Sequence, residues 1–250
     1  MMLLFDLGNS RCKWQLRTDT GEPAAGGALP YTENGKLPPA LFERLAALDE
    51  SPSSARVCTV AAPELLRPLD QWLQDRFGCV LQRFITRMED ATGVTNAYPE
   101  PSSLGADRWA ALIGARVHYT GRLCIVDCGT AVTLDVLEAD GSHAGGLIFP
   151  GLRLSRRALA TAAHRLGESG EGDLPLLAKD TPTAIRAGTY HALAGALASL
   201  KARVDSHGDH PCQGILTGGD ADALADTLGG AWVVDHDLIF RGIASGTVAP

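Results

Sequence analysis

The sequence predicts an α/β protein made of two similar halves, and three observations carry that expectation. A short phrase is written twice: Leu3-Leu4-Phe5-Asp6-Leu7-Gly8-Asn9-Ser10, and again Cys124-Ile125-Val126-Asp127-Cys128-Gly129-Thr130-Ala131. In each, an apolar run breaks into Asp-x-Gly and a small polar residue, the pattern of a buried strand ending in a tight turn. The copies lie 121 residues apart, and after each the chain opens strand–turn–strand and then alternates helices with strands. This divides the protein into residues 1–119 and 120–250, with the boundary near Tyr119–Arg122 and a ligand cleft expected between the halves.

Taken in order, Leu3–Asp6 and Cys12–Leu16 read as two strands, and 18–38, rich in Gly, Pro and Thr, as a loop or edge hairpin. Pro39–Leu48 has Leu41, Leu45 and Leu48 spaced for one helix face. Arg56–Ala61 is a short strand, Pro63–Phe77 a helix with proline at its start, and Cys79–Ile85 a further strand. The prolines of Asn96–Pro101 exclude helix there. Leu104–Tyr119 is the clearest helix of the first half. In the second, Leu123–Asp127 is a strand, and Val132–Leu137 and Ala144–Phe149 flank a hairpin turn at 139–142. Leu152–Leu166 is helical, 167–182 a polar connection, and Ala184–Val204 a long helix of small residues. Gly214–Asp220 is a strand breaking into a Gly-Gly turn, followed by a helix at Ala221–Leu228 and a short strand at Trp232–Asp235.

Composition narrows the function. The chain is 250 residues, 45% hydrophobic and 20% charged, with net charge −7. Nucleic acid is an unfavoured partner, because phosphate binding needs clustered cations and Arg153, Arg156 and Arg157 read as a solvated helix face. The apolar run Met1–Phe5 stops at Asp6, too short for a signal peptide, and no run approaches the roughly 18 apolar residues of a membrane span. Six scattered cysteines (Cys12, Cys58, Cys79, Cys124, Cys128, Cys212) lack zinc-site spacing and read as reduced thiols of a cytoplasmic protein.

The residues themselves suggest phosphate chemistry. A glycine turn lets backbone N–H groups approach phosphate oxygens, and the aspartate before it can hold hydrated Mg²⁺ or merely cap the turn. Asp107, at a helix start, is placed either to accept a hydroxyl proton or only to stabilise its helix, where the macrodipole favours the ionised form. Arg108 can pair bidentately with a carboxylate or form a surface ion pair.

In their order, these motifs resemble the type III pantothenate kinases of the actin, hexokinase and Hsp70 superfamily. The matching segments are Asp6-Leu7-Gly8-Asn9-Ser10 with Lys13-Trp14; Gly105-Ala106-Asp107-Arg108; Asp127-Cys128-Gly129-Thr130-Ala131 with Thr133 and Asp135; Gly145–Gly151; and Asp180–Gly188. Ser10 stands where threonine is commoner, and Asp180 where the family has asparagine, which adds a charge. The resemblance implies two ribonuclease H-like (actin-like) domains with an interdomain nucleotide cleft, and transfer of the ATP γ-phosphate to pantothenate on the way to coenzyme A. It implies Asp107 as general base. It assigns Asp6, Leu7, Gly8, Asn9, Ser10, Arg11, Cys12, Lys13 and Thr130 to ATP, and Tyr98, Gly105, Ala106, Asp107, Arg108 and Thr181 to substrate. Asp6 would serve Mg²⁺ and Asp127 a monovalent cation, K⁺ or NH₄⁺; Gly218 and Gly219 would approach the adenine or ribose. It further implies a homodimer, and, as the alternative, an accessory role in transcription known for some relatives.

Overall fold

The structure is a computed structural model that describes residues 1–59, 63–162, 172–208, 210–230 and 232–249. Parts of three expected elements, Val60–Ala61, 163–166 and 167–171, lie outside the described residues. The chain forms two compact units. The first comprises Met1–Tyr119, Gly141–His143 and Asp237–Pro250; the second comprises Thr120–Asp140 and Ala144–His236. A division of the chain at 119/120 leaves Asp237–Pro250 in the second half, whereas its packing places it in the first unit.

The first unit contains β1 (Met2–Leu7), β2 (Arg11–Arg17), β3 (Pro23–Pro30), α1 (Pro39–Ala46), β4 (Ser54–Thr59), α2 (Leu66–Phe77), β5 (Leu81–Arg83) and α3 (Ala106–His118). Its sheet order is β3-β2-β1-β4-β5, with β1–β2 and β2–β3 antiparallel and β1–β4 and β4–β5 parallel. β1 is central and covered on both faces, which is why its sequence is nearly continuous in apolar residues. Because side chains alternate along a strand, Leu3, Phe5 and Leu7 join Leu41, Leu45, Leu69 and Leu73 in one core, while Leu4 and Asp6 point to the other face. β3 is the edge strand that the 18–38 stretch allowed. Two elements are shorter than expected. β5 pairs along three residues only, as an edge neighbour of β4. The Pro63–Phe77 segment begins as a single 3₁₀ turn, Pro63–Leu65, before α2.

The second unit repeats this plan with β6 (Leu123–Cys128), β7 (Ala131–Leu137), β8 (His143–Pro150), α4 (Leu152–Ala162), α5 (Thr181–His207), β9 (Gln213–Thr217), α6 (Ala221–Leu228) and β10 (Trp232–Val234). The order β8-β7-β6-β9-β10 is that of the first sheet, element for element. Asp6 and Asp127 are each the fifth residue of a six-residue central strand. Cys124, Val126 and Cys128 face Leu193, Leu197, Leu216 and Leu224, as Leu3, Phe5 and Leu7 face their helices. α5 starts three residues earlier than its periodicity suggests. Pro182 lies in its first turn, where no N–H donation is required, and the Asp180 carboxylate accepts the Thr183 N–H at 2.9 Å. Among the described residues all six cysteines are free and buried, and burial pushes the Cys12 and Cys124 thiols up to about 12.

The last helix, α7 (Leu238–Ser245), had no counterpart in the sequence reading, which ended at Asp235. It packs against α3 so closely that a Cβ on Gly114 would collide with Leu238 O, and one on Gly242 with Ala110 O. Arg56 of β4 donates from Nη1 to Ala244 O at 2.6 Å and to Ile243 O and Gly246 O at 3.2 Å, satisfying carbonyls at the open end of α7. Asp90 ties the segment after it, accepting the Thr247 N–H at 3.0 Å and hydroxyl at 2.8 Å.

Gly242→Ala therefore costs about 1–3 kcal/mol by overpacking, read as a lowered urea midpoint or melting temperature. Gly195→Ala, at a mid-helix site of α5 with open space around its Cβ, shifts stability by no more than about 1 kcal/mol, in the stabilising direction.

Candidate active site

The acidic centre of the first unit follows from strand register. Asp6 lies opposite Lys13 on β2 and Cys58 on β4, so the three side chains share the sheet face on which α3 and α7 pack. Lys13 Nζ is 3.2 Å from Asp6 Oδ2; the lysine side chain is 36% exposed and the aspartate 6%. Lys13 is thus a partner of Asp6 as well as a candidate phosphate contact. Asp107, in the first turn of α3, is half-buried and accepts the Arg108 N–H on Oδ1 at 2.8 Å.

Burial and charge oppose the macrodipole at Asp107. Burial pushes its carboxyl above the ordinary 3.8, the nearby Asp6 charge pushes the same way, and the Arg108 N–H and guanidinium only oppose the rise. The Cys58 thiol is likewise raised by burial first, then by Asp6 and Asp107, which places all three acids in one neighbourhood.

The β1–β2 turn is closed by Gly8 N–H donating to Arg11 O at 3.2 Å, and Tyr31 Oη donates to Gly8 O at 2.9 Å. Of the nine residues assigned to ATP, Leu7 and Cys12 have fully buried side chains in the core and can offer a ligand only backbone atoms. Asn9 and Arg11 are exposed, Gly8 and Ser10 partly so. A Cβ at Gly8 would meet only Arg11 O, at an ordinary 3.6 Å, so the turn itself does not demand glycine.

Tyr98 and Arg108 are brought together. Arg108, nearly fully buried, donates from Nη1 to Tyr98 Oη at 3.0 Å, with its Cζ 5.6 Å from the Tyr98 ring centroid. Asn96 sets the loop by accepting the Tyr98 N–H at 2.9 Å. Gly105 is the N-cap of α3 and Ala106 its first residue. Asn96, Tyr31 and His143, whose ring stacks on Tyr98, escaped the sequence reading; only their closeness to the Tyr98 and Gly8 motifs could have flagged them.

In the second unit the Asp127 turn is braced on both sides. Gly218 has φ +92°, and a Cβ there would collide with Asp127 Oδ1 and lie 2.7 Å from Cys128 N. Gly218 thus permits close approach to Asp127, a contact within the protein. A Cβ on Gly151 would strike Gly129 O, and its N–H donates to Thr130 O at 3.1 Å. Asp220 N–H donates to Cys128 O at 3.1 Å. The Asp220 carboxyl is raised by burial against Arg156 and Arg153, and was not singled out from sequence. Thr130 is exposed at the turn. Thr181, also exposed, lines a groove of about 1260 Å³ between α4 and α5 with Phe149, Leu159, Ala184 and Gly188. Asp180 keeps the helix-cap bond that asparagine would make, and its carboxyl is lowered by the Thr183 N–H.

Among the described residues no three His, Cys, Asp or Glu side chains cluster to cage a metal ion. A lone carboxylate such as Asp6 can hold Mg²⁺ only where waters and phosphate oxygens complete the shell. Asp127 is a single carboxylate drawn against the Gly218 turn.

Two units of identical strand order, each with an aspartate as the penultimate residue of its central strand, define a fold of the actin, hexokinase and Hsp70 kind. The activator of 2-hydroxyisocaproyl-CoA dehydratase from Clostridium difficile, solved with bound ADPNP, is similar in fold (TM-score 0.55, 13% identity, covering 98% of this chain and 91% of that one). The type III pantothenate kinase family model matches residues 2–203. Proteins described as type III pantothenate kinase from Nitrosococcus oceani (38% identity, 98% of this chain, 92% of the relative) and Halorhodospira halophila (38%, 97% and 96%) match over nearly full length. The chain belongs to the type III pantothenate kinase family.

Gly218→Ala is expected to force the β9 turn away from Asp127 and Cys128. Its unfolding free energy falls by about 1–3 kcal/mol, measured by urea titration, because the clash is with main chain that cannot yield cheaply.

Proposed function

We propose that the chain is an ATP-dependent pantothenate kinase, transferring the γ-phosphoryl group to the 4′-hydroxyl of pantothenate to give 4′-phosphopantothenate, the first step toward coenzyme A. The observation that carries the reading is the convergence, within one unit, of a half-buried carboxylate of raised pKa at Asp107 with the Arg108–Tyr98 pair immediately beside it. Support also comes from the family and its ordered motifs.

In this reading Asp107 accepts the proton of the 4′-hydroxyl as that oxygen bonds to the γ-phosphorus and ADP leaves with the electron pair of the broken bond. Burial and Asp6 make Asp107 a better base than an ordinary aspartate. Arg108 and Tyr98 hold the pantothenate carboxylate, with Gly105 and Ala106 beside it and Thr181 as a further contact. The Gly8–Lys13 turn and Thr130 contact the nucleotide. Mg²⁺ at Asp6 would neutralise phosphate charge, and a monovalent cation would sit at Asp127. A homodimer and a cytoplasmic location complete the reading through the family; no helix among the described residues is long and apolar enough to cross a membrane.

Pantothenate-dependent ADP release, assayed with ATP, Mg²⁺ and K⁺, tests the proposal; absence of turnover under those conditions contradicts it. Asp107→Asn is expected to lower kcat roughly 10²–10⁴-fold. The same variant melts no lower than the parent at neutral pH. A carboxyl raised by folding costs stability above its unfolded value, and the amide removes that cost. In the parent, kcat/KM falls as pH drops through the raised Asp107 value, so the acid limb lies above that of an ordinary aspartate.

A further inference from the structure

We propose that His143 is a positioning residue of the substrate pocket: its ring is the plate that holds Tyr98 in the orientation where the phenol meets Arg108. The inference rests on the pantothenate kinase reading and names a residue that none of the ordered motifs contains. His143 is 4% exposed, and its ring stacks on that of Tyr98 with centroids 6.1 Å apart and planes at 15°. That is an offset stack within the favourable range for ring pairs.

Main-chain bonds fix the plate. Thr95 N–H donates to Gly141 O at 3.0 Å and His143 N–H donates to Thr95 O at 2.8 Å, so Ser142 and Thr95 form a parallel bridge that ties 141–143 to the Tyr98 loop. Gly141 has φ +95°, and a Cβ there would collide with Gly93 O, so only glycine allows this docking. The other edge of the loop is set by Asn96, which accepts the Tyr98 N–H at 2.9 Å and donates from Nδ2 to Arg87 O at 3.3 Å. Main chain thus places both rings, and the remaining freedom of Tyr98, rotation of its side chain, is what the His143 ring restricts.

The consequence is chemical. Tyr98 Oη accepts from Arg108 Nη1 at 3.0 Å, so the phenol proton is directed to another acceptor. A phenol O–H and a guanidinium side by side suit an anionic oxygen group such as a carboxylate. Losing the plate lets Tyr98 leave Arg108, weakening substrate binding without touching the base, Asp107.

The test compares His143→Ala, which removes the plate, with His143→Phe, which keeps it. In His143→Ala the KM for pantothenate rises roughly three- to tenfold, the worth of one ring pair, with kcat and the KM for ATP near those of the parent. His143→Phe restores the pantothenate KM. Melting temperatures of both variants identify general loss of structure. An unchanged pantothenate KM in His143→Ala, a parallel rise in both KM values with a lowered melting temperature, or a Phe variant as impaired as Ala each overturns the assignment. Failure of the parent to turn over pantothenate overturns the kinase reading itself, an outcome distinct from these.

Discussion

The first unit depends on one close approach, that of α3 to α7. Gly114 and Gly242 let two helix backbones come within a distance that a single methyl group would forbid. That contact seats α3 on the sheet face where Asp6 lies, and the start of α3 delivers Asp107 and Arg108 there. Arg56 and Asp90 then hold α7 and the segment after it. A helix near the C-terminus thereby helps position a carboxylate carried more than a hundred residues earlier.

The duplicated sheet shows how one plan supports unequal roles. Both central strands carry aspartate as their penultimate residue, and both units have the same strand order. Yet Asp6 is buried beside a lysine and a second acid, whereas Asp127 is drawn against a turn clasped by Gly218 and Gly151. The first setting raises the neighbouring Asp107 carboxyl, and in the second Gly218 admits the close approach of Asp127.

Much of this was legible in the sequence because it rests on local signals. The doubled apolar run with Asp-x-Gly marks strand and turn, and Leu41 and Leu45 mark a helix face. What escaped depends on contacts distant in the chain. α7 follows the last strand without a clear break, and its glycines acquire meaning only against α3. His143 carries no local signal, because its partner Tyr98 lies in another loop. At Asp107 a helix start is visible in sequence, but burial and the charge of Asp6 are not. Gly218 likewise has a role against Asp127 that the local sequence does not show.

The proposed function turns on Asp107 being a half-buried base whose proton affinity is raised by its surroundings. The most direct measurement is the titration of its side-chain carboxyl by carbon-13 NMR, in the parent and in Asp6→Asn. The account predicts a parent midpoint above that of an ordinary aspartate, which falls when the Asp6 charge is removed but stays raised by burial. A parent midpoint at or below the ordinary value, or one that ignores Asp6, would contradict it.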